Sequence, residues 1–202
     1  FKQKTAYEIG VRLVGSEMCI RDRSELLSEN RLVDAASYID QAYPFRPIEK
    51  STRKSTPKQM TQVFKRDGFI DRYKGTRLVY PPALRLISMA LPAQFPYHKN
   101  GKMTVGHFAY WELFPSIDHV VPVARGGKDE EANWVCCSML TNQIKANWTL
   151  EELEWELKPP GDLTKWDGLL NWFIAQMRDE SVRLVAPKYC RDWLSAAQAC
   201  SF

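Results

Sequence analysis

FPSIDHVVPVARGGKDEEANWVCCSMLTNQIKANW, residues 114–148, decides how the rest of the chain is read. Its spacing predicts strand, loop, strand and helix in that order. Ser116 to Val123 alternates around the pair Asp118-His119, as a half-buried strand does. Gly126-Gly127 followed by Lys128-Asp129 is turn chemistry, because glycine reaches positive φ without steric cost. Asn133 opens a short apolar run, Trp134 to Cys137, suited to a second strand. Ser138 can cap a helix on which Leu140 and Ile144 share one face. Asn142 and Lys145, three apart, are neighbours on it. Asp118, His119, Asn133, Asn142 and Lys145 are therefore expected to be the polar residues of one compact ββα unit.

An isolated Asp-His pair reads by default as a buried polar pair closing a strand end. The ordered set changes that reading. Asp118-His119, then Asn133, then Asn142 with Lys145 behind it, and VVPVARGG in between, resembles the HNH endonuclease family, the ββα-metal nucleases. The resemblance covers about Val63 to Asp162. VFKRDGFIDRYKG, Val63 to Gly75, is similar to the lead-in of zinc-containing members, which carries a Cys-x-x-Cys. Asp71 and Lys74 stand at those two positions, and the second cysteine pair would fall near Ser138 and Thr141. All four thiol positions are replaced, so no structural zinc is expected. AYWELFP (Ala109 to Pro115) and NWTLEEL (Asn147 to Leu153) resemble phrases of a zinc-less bacterial subgroup. The fold class expected is α+β, a ββα-metal core within a mostly helical shell.

Hydrolysis of a phosphodiester needs an activated water, charge relief on the phosphate and help for the departing 3′ oxygen. A histidine can take the proton of that water near neutral pH, and His119 is the candidate. A hard divalent ion, Mg²⁺ or Mn²⁺, can polarise the phosphate. Asp118 offers it an anionic oxygen and Asn142 a carbonyl oxygen, leaving positions for water and substrate. The resemblance implies the same roles, and it gives Asn133 the task of holding the loop that orients His119. Arg125 and Lys145 either hold phosphate oxygens or are solvated charges. The expected substrate is double-stranded DNA. The competing function is a nucleic-acid-binding module that keeps the fold without cutting. A zinc hydrolase of small molecules would want a closed His/Cys set, which is missing.

The rest of the chain sets bounds. Its 202 residues suit one domain or one with appendages, and 45% hydrophobic residues can form a packed core. The formal charge of +4 is too mild to argue for nucleic acid by itself. No run is apolar and long enough to span a bilayer. Lys2 to Arg23 resembles translated sequencing-adapter sequence, so residues 1–23 are expected to be non-native and are set aside from fold reasoning. Of the five cysteines, Cys19 falls there; Cys136 and Cys137, adjacent on a strand, should point to opposite sides as packed thiols. A reducing cytoplasm fits that usage.

Residues 24–57 are expected to be a helix striped by Leu27, Leu32, Val33, Ala36, Ile39 and Tyr43, then a basic linker. The nuclease domain is expected over 58–162 and a C-terminal helical extension over 163–202. Within these, Thr56 should cap a helix that Gly68 ends, and Asp71 to Gly75 should form a knuckle. Arg77 to Tyr80 reads as a strand, and Pro81-Pro82 as the start of a helix to about Leu91. Residues 92–103 read as a loop, with Lys99, Lys102 and His98, a surface or DNA-contact residue. Thr104 to Leu113 reads as a short helix, where His107 either lines the site or is structural. Thr149-x-x-Glu152 is a capping box for a helix Leu150 to Leu157. Further helices are expected over Leu163 to Asp179 and Tyr189 to Ala199. The tryptophans can stack bases, but at helical spacing they are expected in the core.

Overall fold

The computed structural model describes residues 24–42 and 55–200, in a mixed α/β chain dominated by helices. Two compact units divide at 51/52. In the first, residues 24–28 are helical, Asn30 turns the chain at φ +60°, and α1 spans Leu32–Ala42. The expected single helix is thus broken, and Leu27, Leu32, Val33 and Ile39 of its stripe are exposed. Tyr43 and most of the basic linker lie outside the described residues, as does the segment 1–23.

In the second unit the elements are α2 (Pro57–Arg66), α3 (Pro81–Ala90), α4 (Ala109–Leu113), β1 (Pro115–His119), β2 (Trp134–Ser138), α5 (Met139–Lys145), α6 (Leu150–Leu153), α7 (Leu170–Arg178), α8 (Glu180–Val185) and α9 (Lys188–Ala199). The expected ββα order is present. Strands β1 and β2 pair antiparallel, with Asp118 opposite Val135 and His119 opposite Trp134. β1 stops at His119, short of the expected Val123, because a 3₁₀ turn at Val123–Arg125 follows Pro122. Proline has no N–H to extend a ladder.

Helix α2 begins as expected: the Thr56 side chain accepts from the Gln59 N–H, and Gln59 returns the bond to the Thr56 N–H. The outer edge of β2 is covered by the segment after α2. Arg72 N–H donates to the Cys136 carbonyl at 2.9 Å, Cys136 N–H to Asp67 at 2.7 Å, and Ser138 N–H to Asp71 at 3.0 Å. The knuckle therefore stands where a third strand would, and a bare sheet edge is avoided. The expected strand at Arg77 to Tyr80 is reduced to a single bridge between Ile70 and Arg77.

Tyr80 is the centre of the core. Its ring meets Phe69, Phe173 and Trp193 at 5.4–6.0 Å, edge-on, and its hydroxyl donates to the Trp193 carbonyl at 2.9 Å. The C-terminal helices thus close the same core as α2 and α3. Three expected helices are shorter than their patterns. The 104–113 helix is only α4. The Leu150 helix ends at Leu153, where Glu154 turns left-handed and Trp155 folds back onto Tyr73 at 5.6 Å. The Leu163 helix begins only at Leu170, because Gly168 and Leu169 both have positive φ and Trp166 donates its Nε1–H to the Leu78 carbonyl. Asp179 then caps α8, an element the periodicity hides. Trp193 is core as expected, but Trp148 and Trp172 are exposed. No helix among the described residues is long and apolar enough to cross a membrane.

Candidate functional site

The pairing of β1 with β2 and the cap of α5 bring the motif residues to one place. Ser138 accepts from the Thr141 N–H at 3.0 Å and starts α5 directly after β2. Its first turns then lie against the end of β1. A cleft of about 790 Å³ opens there, lined by Asp118, His119 and Asn142 together with Asp129 and Trp134. Asp118 and Asn142 thus share one cavity.

Asn133 clamps the intervening loop. Its Oδ1 accepts from the Val121 N–H at 2.9 Å, and its Nδ2 donates to the carbonyls of Val121 (2.9 Å) and Lys128 (2.8 Å). The loop has room for this only because residue 127 is glycine: a Cβ there would lie 1.9 Å from the Val121 carbonyl oxygen. The clamp also returns Asp129 towards the strand that carries His119.

Asp129 is the residue that sequence reasoning passes over as part of a turn. His119 Nε2 lies 2.7 Å from Asp129 Oδ1, and Trp134 Nε1 lies 3.0 Å from the same oxygen. Trp134 Nε1 is also 3.1 Å from His119 Nε2. An indole nitrogen can only donate. A lone pair on Nε2 would face the carboxylate, so the consistent arrangement has both rings donating their N–H to Asp129. The remaining nitrogen of His119, Nδ1, is then the one with the lone pair. An acid in the loop between two motif strands is the only signal of this in the sequence, and it is a weak one.

Asp118 is buried and held from one side. Tyr73 donates its hydroxyl to Oδ2 at 2.6 Å, and Lys145 Nζ lies 2.9 Å from the same oxygen. Among the described residues none donates to Oδ1. Burial, and then the charge of Asp118, hold the Tyr73 phenol far above its ordinary range, so it remains a donor. Lys145 is completely enclosed, and Nζ also donates to the His119 carbonyl at 2.8 Å. The expectation that Lys145 reaches a phosphate or solvent is corrected: its ammonium fixes Asp118 and the end of β1. Arg125 is exposed, donates to Glu152 at 3.0 Å beside α6, and does not line the cleft. His107 likewise lies away from the cleft.

Asn142 donates Nδ2 to Ser116 Oγ at 3.1 Å and to the Ile117 carbonyl at 3.3 Å. A carbonyl accepts only, so this fixes the amide with Oδ1 on the other side. The site therefore presents one carboxylate oxygen, one carboxamide oxygen and one imidazole lone pair. Among the described residues no three His, Cys, Asp or Glu side chains gather around a metal position. A hard divalent ion that keeps most of its waters needs fewer protein ligands, and Asp118 and Asn142 suit it. Cys136 and Cys137 are fully buried in different clusters, one in the main core and one beside Tyr73, as expected for neighbours on a strand. Burial pushes both thiols well above their ordinary range, so they stay protonated.

No family model, curated protein or solved structure matches this chain.

Proposed function

We propose that this chain is a metal-dependent endonuclease of the HNH type that hydrolyses phosphodiester bonds in DNA. The observation that carries the reading is the convergence, in one open cleft, of an imidazole held by a carboxylate with two oxygens from separate elements. His119 Nδ1 takes a proton from water, and the hydroxide oxygen bonds to phosphorus as the bond to the 3′ oxygen breaks. The developing imidazolium is stabilised by Asp129, which accepts its Nε2–H. Asp118 Oδ1 and Asn142 Oδ1 would hold the divalent ion. That ion, when bound, supplies charge relief to the phosphate and to the departing oxygen. Asn133 keeps the loop in the shape that aims Asp129 at His119.

Single-turnover cleavage of plasmid DNA at saturating Mg²⁺ or Mn²⁺ tests this. General-base help is worth about 10²–10⁴ in rate. His119→Ala is expected to lose that much while metal and DNA affinity stay at parental values. Cleavage by His119→Ala at the parental rate refutes the mechanism. A parent chain that binds DNA and never cuts it with any divalent ion is a binding module instead.

A further inference from the structure

A second pocket, of about 330 Å³, adjoins the cleft through Met139, the first residue of α5, which lines both. That volume is in the range of small-ligand sites. Its walls combine aromatic rings with cations, and no acidic residue lines it. Tyr97 is 42% exposed, and the Arg85 guanidinium lies over its ring, 4.3 Å from the centroid. Trp111 is held in place by its own N–H, which donates to the Gly101 carbonyl at 3.0 Å. Lys99 and Lys102 stand on the exposed loop that forms the rim.

Two histidines of the wall are set as donors. His98 Nδ1 accepts from the N–H groups of Asn100 (3.2 Å) and Lys102 (3.4 Å), and His107 Nδ1 accepts from the Ala109 N–H at 3.1 Å. Each neutral ring therefore carries its hydrogen on Nε2. Flat apolar faces beside cations and N–H donors, with no carboxylate to compete, match a ligand with a π-face at one end and an anion at the other. A nucleotide is such a ligand, and the strand occupying the cleft would supply it.

We infer that this pocket receives an unpaired nucleotide of the strand being cut. Its base stacks on Tyr97 and Trp111, and its phosphate meets Lys99 and Lys102. The inference rests on the nuclease reading for the identity of the strand. It implies a preference for DNA with a single-stranded flank, a gap or a bulge beside the scissile phosphate over blunt duplex.

The test is binding of a short fluorescent oligothymidylate, and of a blunt hairpin duplex closed by a non-nucleotide linker so that it holds no unpaired base, to the full chain in EDTA, where no cutting occurs. The oligothymidylate is expected to bind more tightly than the hairpin. Tyr97→Ala should weaken oligothymidylate binding on the order of 5- to 100-fold, the worth of one stacked base, and leave the hairpin unaffected. Tyr97→Phe, which keeps the ring, should bind as the parent does. Lys102→Gln, a surface change, should weaken binding and reduce the slope of log affinity against log salt by about 0.7. Unchanged oligothymidylate binding in both Tyr97→Ala and Lys102→Gln, or an equal loss on the hairpin, overturns the inference. A chain that holds oligothymidylate through Tyr97 yet cuts nothing with any divalent ion keeps this pocket and loses the nuclease reading. Tyr97→Ala cutting gapped and blunt substrates with the parent's preference keeps the nuclease reading and loses the pocket.

Discussion

Two buried aspartates, Asp71 in the knuckle and Asp118 at the end of β1, show how differently one residue type can be placed. Asp71 is fully buried and both of its oxygens are engaged by backbone: Oδ1 accepts from the N–H groups of Tyr73 and Lys74, and Oδ2 from that of Ser138. It binds the knuckle to the start of α5. One carboxylate thus makes the bridge with three backbone hydrogen bonds. Asp118 has two donors against the three of Asp71, both of them meet Oδ2, and the residue lines the cleft. A carboxylate whose oxygens are both satisfied by backbone holds the fold; one anchored through a single oxygen keeps the other for a ligand.

The same substitution at both positions separates these roles. In Asp118→Asn the amide oxygen can still accept from Tyr73 and Lys145, while an NH₂ replaces the oxygen left for a cation. Cleavage per folded molecule is expected to fall by at least about 10²-fold, the scale of losing a metal's charge relief, with metal affinity reduced. Stability falls as well, by about 3 kcal/mol, because the enclosed Lys145 ammonium loses its counter-charge. In Asp71→Asn an NH₂ must confront a buried backbone N–H whichever way the amide turns. Each such orphan donor costs about 1–3 kcal/mol, so the melting temperature should drop while the rate per folded molecule is kept. Calorimetry beside single-turnover rates reads both. Loss of cleavage in Asp71→Asn without loss of stability would erase the distinction.

The sequence carried the parts of this that depend on near neighbours. The strand, turn, strand and helix around Asp118-His119 and the caps at Thr56, Ser138 and Thr149 all follow from local patterns, and each is present. What was hidden depends on the chain meeting itself. Asp129 looks like any turn acid until the loop returns it to His119. Lys145 looks like a surface cation on a short helix until Tyr73, 72 positions earlier, closes over it together with Asp118. The helix expected from Leu163 fails because Trp166 is drawn out of the pattern by the Leu78 carbonyl.

Lys145 gives a second way to break the comparison, since it is the charge that anchors Asp118, and among the described residues Asp71 has no such partner. Removing one member of a buried ion pair costs about 3–5 kcal/mol because the other charge is stranded. Lys145→Met is therefore expected to lower stability by about 3 kcal/mol, seen as a shift in the denaturant midpoint. The salt dependence of DNA binding should not change, because the ammonium is enclosed. A surface phosphate contact would behave the opposite way, with stability intact and the salt slope reduced by about one unit.

The smallest effect lies where the two regions touch. Cys137 is buried beside Tyr73, and its thiol is pushed well above the ordinary range by burial, then by the charge of Asp118 and, less strongly, of Asp71. In the unfolded chain that thiol ionises at about 8.5. Above this value the unfolded chain binds fewer protons than the native one, so stability falls as pH rises. The contribution is whole below the unfolded value and is lost on the way up to the native one. Cys136 and Cys190 act in the same direction, Cys190 because burial pushes it up to about 11. Cys137→Ala should cost about 1 kcal/mol at neutral pH for the lost volume. Its melting temperature should then decline less steeply than the parent's between about pH 8.5 and 10.5. An alkaline decline as steep as the parent's would place the sensitivity elsewhere, and would mean that the thiol does not stay protonated between the two carboxylates.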